Sequence, residues 1–299
     1  MMSEKFKIGY FADGIWAHEA MKRILDNQKI ALQFVCGRYG TRDPILKKMA
    51  EDNNIDFLLE KNINCPDFLS KIRNYQCDLL VSMSFDQIFK NEIINLCPQK
   101  LINCHAGKLP FYRGRNILNW VLINGEQEFG ITVHYVDEGI DTGDIIVQNT
   151  YQIGLDDDYG SLLNIAHKEC ASLLIEAISR IMNNKVERIR QKDVHEIGFY
   201  CGIRKSGDEY ISWNQESINL FNFIRGLAKP GPSARSSING VEIKINKASL
   251  IVNAPSYIGI PGQVVGKTKQ SITVKTKDST IEVIDYECSS VIKIGDRLS

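Results

Sequence analysis

Three polar residues in one stretch of this chain have the types and spacing to do chemistry together. Asn103 and His105 stand one residue apart at the end of the apolar run KLINCH, and Asp141 follows in the acidic loop DEGIDTGD. An asparagine amide donates two N–H bonds and does not titrate, so Asn103 suits an oxygen on which negative charge develops. An imidazole can take the proton that an attacking amine loses, which suits His105. A carboxylate against the second ring nitrogen would hold the tautomer, and Asp141 is the candidate. These are the parts needed for acyl transfer to an amine. Singly, His105 reads as a core histidine and Asp141 as a turn residue, so it is the combination that points to chemistry.

Such side chains need rigid carriers. FKIGYFAD, IALQFVCG and CDLLVSMS are short apolar strands, and KLINCH and GITVHYV are two more. GIWAHEAMKRILDN has helical spacing, with His18 near its surface. DPILKKMAEDNN reads as a helix with Asp43 at the N-cap and Pro44 at the first position. FLSKIRNYQ is a further helix, and SLLNIAHKECASLLIEAISRIMNN a long amphipathic one. Strand, helix, strand, helix, strand implies parallel pairing with crossover helices, hence an α/β fold with a Rossmann-like sheet. In such sheets the strand ends and the loops after them carry the chemistry. FADG, Phe11 to Gly14, is not G-x-G-x-x-G, which argues against an NAD enzyme.

From Val186 to Gly207 the texture is charged and aperiodic, a linker pattern. ISWNQESINLFNFIRGL then has helical spacing, stopped by KPGPSA. VEIKINKASLIV, GQVVG, SITVKT and STIEVIDYE are short strands that fit a small β-rich domain. The expected organisation is a catalytic domain over 1–190, a linker over 191–207 and a C-terminal domain over 208–299.

The 299 residues, 43% hydrophobic and 24% charged, suit a globular protein of two domains or one large one. Net charge is zero, against a protein whose affinity comes mainly from broad phosphate contact. MMSEKFKIGYFADG has no long apolar h-region, and no apolar run approaches the roughly 20 residues that span a bilayer, so a cytoplasmic protein is expected. The eight cysteines lack C-x-x-C spacing and read as reduced thiols. Cys104, between Asn103 and His105, points to the opposite face of an extended segment and reads as core. Asp137, Glu138 and Asp144 beside Asp141 lack the ligand alternation of a calcium loop, so no metal is expected.

The ordered set N-x-H, LPFYRG and DEGIDTGD resembles the folate-dependent formyltransferase family, and the resemblance continues weakly to the C-terminus. It implies N10-formyltetrahydrofolate as co-substrate, with Asn103, His105 and Asp141 as the catalytic residues. It also implies a C-terminal domain similar to an OB-fold. The loop at Asp137, Gly139 and Ile140 would border the pterin, with Met83, Ser84, Phe85 and Ile88 as the other wall. His134, in mid-strand, reads as a core or sheet-face residue.

The family does not fix the acceptor. The tRNA enzymes carry an elongated basic loop after the second strand, whereas CGRYGTRDPILKKMAEDNN is short and soon helical. Residues 201–299 hold 13 Lys and Arg against 9 Asp and Glu, a mild excess for a domain that grips tRNA. HAGKLPFYRGRNILNW looks more like the sugar N-formyltransferases than the SLLP-type segment of tRNA enzymes. The expected acceptor is therefore the amine of a nucleotide-linked, dTDP-type amino-deoxysugar used in surface polysaccharide biosynthesis. Its diphosphate would meet Lys108, Arg113, Arg115, Asn116, Arg204 and Arg225, although Arg225 also fits a helix C-terminus. Methionyl-tRNA formyltransferase, a formyl-folate hydrolase and a non-catalytic nucleic-acid-binding protein are the alternatives. No nucleic acid or membrane partner is expected; sugar formyltransferases are often homodimers.

Overall fold

A computed structural model describes residues 4–299. The chain opens with β1 (Phe6–Ala12), α1 (Gly14–Asp26), β2 (Ile30–Gly37), α2 (Pro44–Asp52), β3 (Asp56–Leu59), α3 (Pro66–Arg73) and β4 (Leu79–Met83). It continues with α4 (Asn91–Ile94), β5 (Leu101–His105), β6 (Arg113–Gly114), α5 (Ile117–Ile123), β7 (Glu128–Tyr135), β8 (Ile145–Gln152) and α6 (Tyr159–Met182). Then come α7 (Gln191–Val194), β9 (Tyr200–Cys201), α8 (Ser217–Leu227), β10 (Ala234–Ile238), β11 (Val241–Leu250), β12 (Val264–Lys267), β13 (Ile272–Lys275) and β14 (Thr280–Cys288).

The large sheet has the order β3-β2-β1-β4-β5-β7-β8. From β3 to β5 the strands are parallel, joined by crossover helices, and β7 lies antiparallel to β5. This is the α/β sheet the strand–helix alternation implies. The strand order reverses between β1 and β4, so the carboxyl ends of β1, β4 and β5 border a crevice. His105 is the last residue of β5 and Ser84 follows β4. Apolar residues of these strands and helices, among them Phe11, Phe34, Phe68, Leu80 and Leu101, form one core. Phe11 meets Phe34, Phe85 and Phe89 edge-on at 5.2–5.7 Å, which anchors the loop after β4.

Asp43 caps α2 as its sequence predicts, accepting the N–H groups of Ile45 at 2.9 Å and Leu46 at 3.1 Å. β3, β6, β8, β9 and β10 are additional to the strands read from periodicity. The helix predicted from Ile211 starts only at Ser217. Its expected first turns are irregular, with a bend at 213–215, and Ile211 N–H donates to Arg235 C=O and Trp213 Nε1 to Ser236 Oγ. A neighbouring strand outcompetes local helical preference there.

The chain divides into two compact units. One comprises Met1–Gly114, Gly130–Tyr151 and Asn164–Tyr200; the other Arg115–Phe129, Gln152–Leu163 and Cys201–Ser299. The second carries a five-stranded antiparallel sheet, β10-β11-β14-β13-β12, whose inner face packs with α8 around Ile224, Ile245, Val274 and Ile281. Residues 191–207 carry α7 and β9. All eight cysteines are free and five are buried; burial pushes the thiols of Cys36, Cys77 and Cys97 up to about 12. Among the described residues, no helix is long and apolar enough to cross a membrane.

Candidate active site

Strand β5 presents Asn103 and His105 on one face, two residues apart, as the period of an extended chain requires. Cys104 points the other way, its Sγ 3.6 Å from Cys170 C=O in α6. Across the antiparallel pair, Asn103 is opposite His134 and His105 opposite Thr132. Sheet pairing thus brings His134 beside Asn103, with Asn103 Nδ2 3.4 Å from His134 Nε2. Asp141 lies beyond β7 in the left-handed region, at φ 54°. Its Oδ1 is 3.5 Å from His134 Nε2 and its Oδ2 3.6 Å from His105 Nδ1. The carboxylate therefore stands between two histidines, and a polar chain runs from Asn103 through His134 and Asp141 to His105.

Backbone carbonyls decide which ring nitrogens are basic. A carbonyl only accepts, so His105 Nε2, 2.7 Å from Tyr112 C=O, carries the hydrogen. His134 Nδ1 likewise donates to Tyr135 C=O at 2.7 Å. The other ring nitrogen of each histidine faces Asp141 and meets the carboxylate as an N–H when the ring carries its second proton. Sequence reasoning leaves one nitrogen of His105 for the carboxylate and the other for the reaction. In the fold Nε2 is committed to Tyr112, and Nδ1 is the nitrogen that can take a proton. Gly107 makes this bond possible, since a Cβ there would sit 2.4 Å from His105 Nε2 and 2.5 Å from Tyr112 O.

Burial acts to raise the Asp141 pKa. His105, His134 and the Gly114 N–H, which donates to Oδ2 at 2.9 Å, outweigh it and hold the carboxyl well below the usual carboxylate range. The Asp141 loop is braced from α7. Gln191 is buried, and its Nε2 donates to Asp141 C=O and Gly143 C=O, both at 2.8 Å. Its Oε1 accepts from Arg113 Nε at 3.1 Å and Nη2 at 2.6 Å. Gln191 and His134 were not identified as site residues from sequence. His134 had a usable signal, being on the strand that follows N-x-H. Gln191 had none.

The expected pterin walls lie in two loops, one after β4 and one after β7. Met83 is buried at the end of β4, Ser84 Oγ accepts from Arg38 Nη2 at 3.2 Å, and Ile88 is 65% exposed. Opposite, Asp137 Oδ1 accepts from Gly139 N–H at 3.1 Å and Thr142 Oγ1 at 2.5 Å, and Ile140 is 51% exposed. An Asn91–Glu138 hydrogen bond ties the two loops together. Two open isoleucines flanked by ordered backbone suit a flat heterocycle with polar edges.

Of the six residues expected at a diphosphate, the structure sets Asn116 and Arg204 side by side. Arg113 is engaged by Gln191, and Lys108 packs against Gly130 in β7. Arg115 is exposed, its N–H donating to Cys201 C=O at 3.2 Å. Asn116, at φ 55°, accepts Arg204 N–H on Oδ1 at 2.9 Å. Arg225 is buried and commits Nε to Asn222 Oδ1 at 2.9 Å, and Nη1 to Gly154 C=O at 2.8 Å and Asp157 C=O at 3.3 Å. Of its two readings from sequence, this geometry favours a brace for the turn at 154–157.

Comparison with known proteins gives two family matches: residues 35–178 to "Formyl transferase" and residues 204–294 to "Formyl transferase, C-terminal domain". The methionyl-tRNA formyltransferase of Geobacter metallireducens is 32% identical over 244 residues, 82% of this chain and 76% of that protein. That of Alkaliphilus oremlandii is 31% identical over 87% of this chain and 82% of that protein. Among solved structures, the sugar 3N-formyl transferase WlaRD, crystallised with dTDP and 5-N-formyl-THF, superposes with a TM-score of 0.70 at 23% identity. The match covers 97% of this chain and 100% of that one. An N-formyltransferase from Helicobacter canadensis, in complex with folinic acid and dTDP-3-aminofucose, gives 0.66 at 22% identity, over 95% and 100% of the two chains.

Proposed function

The chain belongs to the formyl transferase family, and from that premise we propose that it moves the formyl group of N10-formyltetrahydrofolate to the amine of a nucleotide-linked amino sugar. The carrying observation for the chemistry is the carboxylate of Asp141 between two histidines, linked to Asn103. The co-substrate supplies an amide carbon that an amine can attack. Asn103 Nδ2 donates to the oxygen on which charge develops. His105 takes the amine proton on Nδ1, Asp141 then faces an imidazolium across 3.6 Å, and the proton passes on to N10 as the carbon–N10 bond breaks and tetrahydrofolate leaves. His134 accepts from the Asn103 amide and so aims it. Met83, Ser84, Phe85 and Ile88, with Asp137, Gly139 and Ile140, hold the pterin.

Two features support a small acceptor. The connection from β2 to α2 is short and internally tied, with Thr41 Oγ1 donating to Asp13 and Arg42 N–H to Arg38 C=O at 3.0 Å. It has no elongated basic loop. Positive charge in residues 201–299 is mild. A second reading, formylation of methionyl-tRNA, is favoured by the names of the sequence relatives at 31–32% identity. Incubation with formyl-folate and a panel of nucleotide amino sugars, beside initiator methionyl-tRNA, separates the two by mass spectrometry. One formyl mass gained on a sugar is the expected result. Efficient formylation of the tRNA, with every sugar untouched, overturns the acceptor and leaves the chemistry standing.

A further inference from the structure

Three neighbouring parallel strands of the large sheet end in register. Pairing sets Gly37 of β2 beside Ala12 of β1, and Ala12 beside Met83 of β4. The residues that follow, Arg38, Asp13 and Ser84, are joined by a closed ring of polar contacts. Asp13 N–H donates to Met83 C=O at 3.3 Å, and Asp13 Oδ2 lies 3.6 Å from Arg38 Nη1. Arg38 Nη2 donates to Ser84 Oγ at 3.2 Å and closes the ring. Asp13 is buried, and the guanidinium is its counter-charge.

Stability alone does not account for this arrangement. Ser84 has φ 55°, a left-handed conformation that costs free energy in a residue with a Cβ. Arg38 Nε is buried and, among the described residues, has no hydrogen-bond partner, a further cost. Strain of this kind persists where the surrounding structure holds it, and it clusters at ligand clamps. The strained turn leads into the loop of Phe85 and Ile88. Phe85 packs edge-on against Phe11 of β1 at 5.4 Å, while Ile88 stays open. Further along, Gln87 Nε2 donates to Glu60 C=O at 2.9 Å and its Oε1 accepts Ile63 N–H at 3.1 Å. The loop is thus pinned on both sides of Phe85, at Ser84 by the ring and at Gln87 by the chain after β3.

We propose that Arg38 is a positioning residue for the folate: by bridging Asp13 and Ser84 it holds the turn out of β4 in the shape that the pterin meets. A guanidinium fork serves both partners at once, whereas the point charge of a lysine cannot span them. Donor affinity then scales with the fraction of molecules that keep this turn. The inference rests on the reading of Met83, Ser84, Phe85 and Ile88 as a pterin wall.

The experiment is calorimetric titration of the full chain with 5-formyltetrahydrofolate, in wild type, Arg38→Lys, Ser84→Ala and the double variant. Each single variant should bind about three- to tenfold more weakly, as loss of one hydrogen bond does. The double variant should bind no more weakly than the worse single one, because both changes remove the same bridge. A merely structural role would lower Tm and leave the affinity of the folded protein unchanged. Equal affinity in all four proteins overturns the proposal while the donor reading stands. Losses that multiply in the double variant also overturn it, since Ser84 then acts without Arg38. If Arg38→Lys does not fold, unchanged affinity in Ser84→Ala overturns the proposal by itself. A wild type that binds no 5-formyltetrahydrofolate overturns the donor reading as well.

Discussion

At the scale of single residues, the site depends on a carboxylate that stays ionised beside two imidazoles. Asn103→Ala should lower turnover on the order of 10²–10³-fold, as loss of an oxyanion donor does, and His105→Ala at least as much. Near-normal turnover of His105→Ala at saturating substrates would remove it from the mechanism. Asp141 makes a prediction in stability. Its pKa is lowered in the fold, so its contribution is fully present above the unfolded value of about 3.9 and is lost as pH falls through the folded one. Asp141→Asn should therefore be less stable than wild type at neutral pH, with the gap closing below about pH 4. Urea denaturation at pH 7 and near pH 3 reads this. A gap that is the same at both would show that His105 and His134 do not hold the carboxylate.

Elements supply the rigidity. The short helix α7 acts through one residue, since Gln191 takes two carbonyls of the Asp141 loop and the guanidinium of Arg113. Gln191→Ala leaves those groups unpaired, at about 1–3 kcal/mol each where buried. Turnover should fall about tenfold or more, with a smaller change in acceptor KM, because Asp141 loses its position. Unaltered kcat would mean the loop is held by Gly114 N–H alone. Helix α8 makes the parallel case for Arg225. Arg225→Ala should cost about 2–3 kcal/mol and lower Tm by several degrees, since Gly154 and Asp157 lose a charged donor. A raised KM for the sugar with unchanged Tm would return Arg225 to the substrate.

For the whole molecule, charge is the discriminating property. Net charge is zero, and residues 201–299 carry an excess of four positive charges. A protein gripping tRNA through many phosphates loses affinity steeply with salt. Retention of initiator tRNA should be weak here and nearly flat between about 50 and 200 mM salt. Tight binding that falls 10³-fold over that range would favour the tRNA reading.

Local chemistry determined much of this protein before any fold was drawn. Alternating strands and helices required a parallel sheet, and Asp43–Pro44 marked the start of α2 through the N–H groups it had to cap. Asn103 and His105 share a face because an extended chain repeats every two residues, and the same alternation turned Cys104 into the core. The tertiary structure decided what depends on partners remote in sequence. Antiparallel pairing of β5 with β7 placed His134 against Asn103, and Tyr112 C=O chose the tautomer of His105. Gln191 gave no local signal, because its role is hydrogen bonding to a loop some fifty residues earlier. Arg225 and Arg113 looked available for a substrate because sequence shows a charge and not its acceptors. Those acceptors are two backbone carbonyls and the amides of Gln191 and Asn222, and all but Asn222 come within reach only by chain folding.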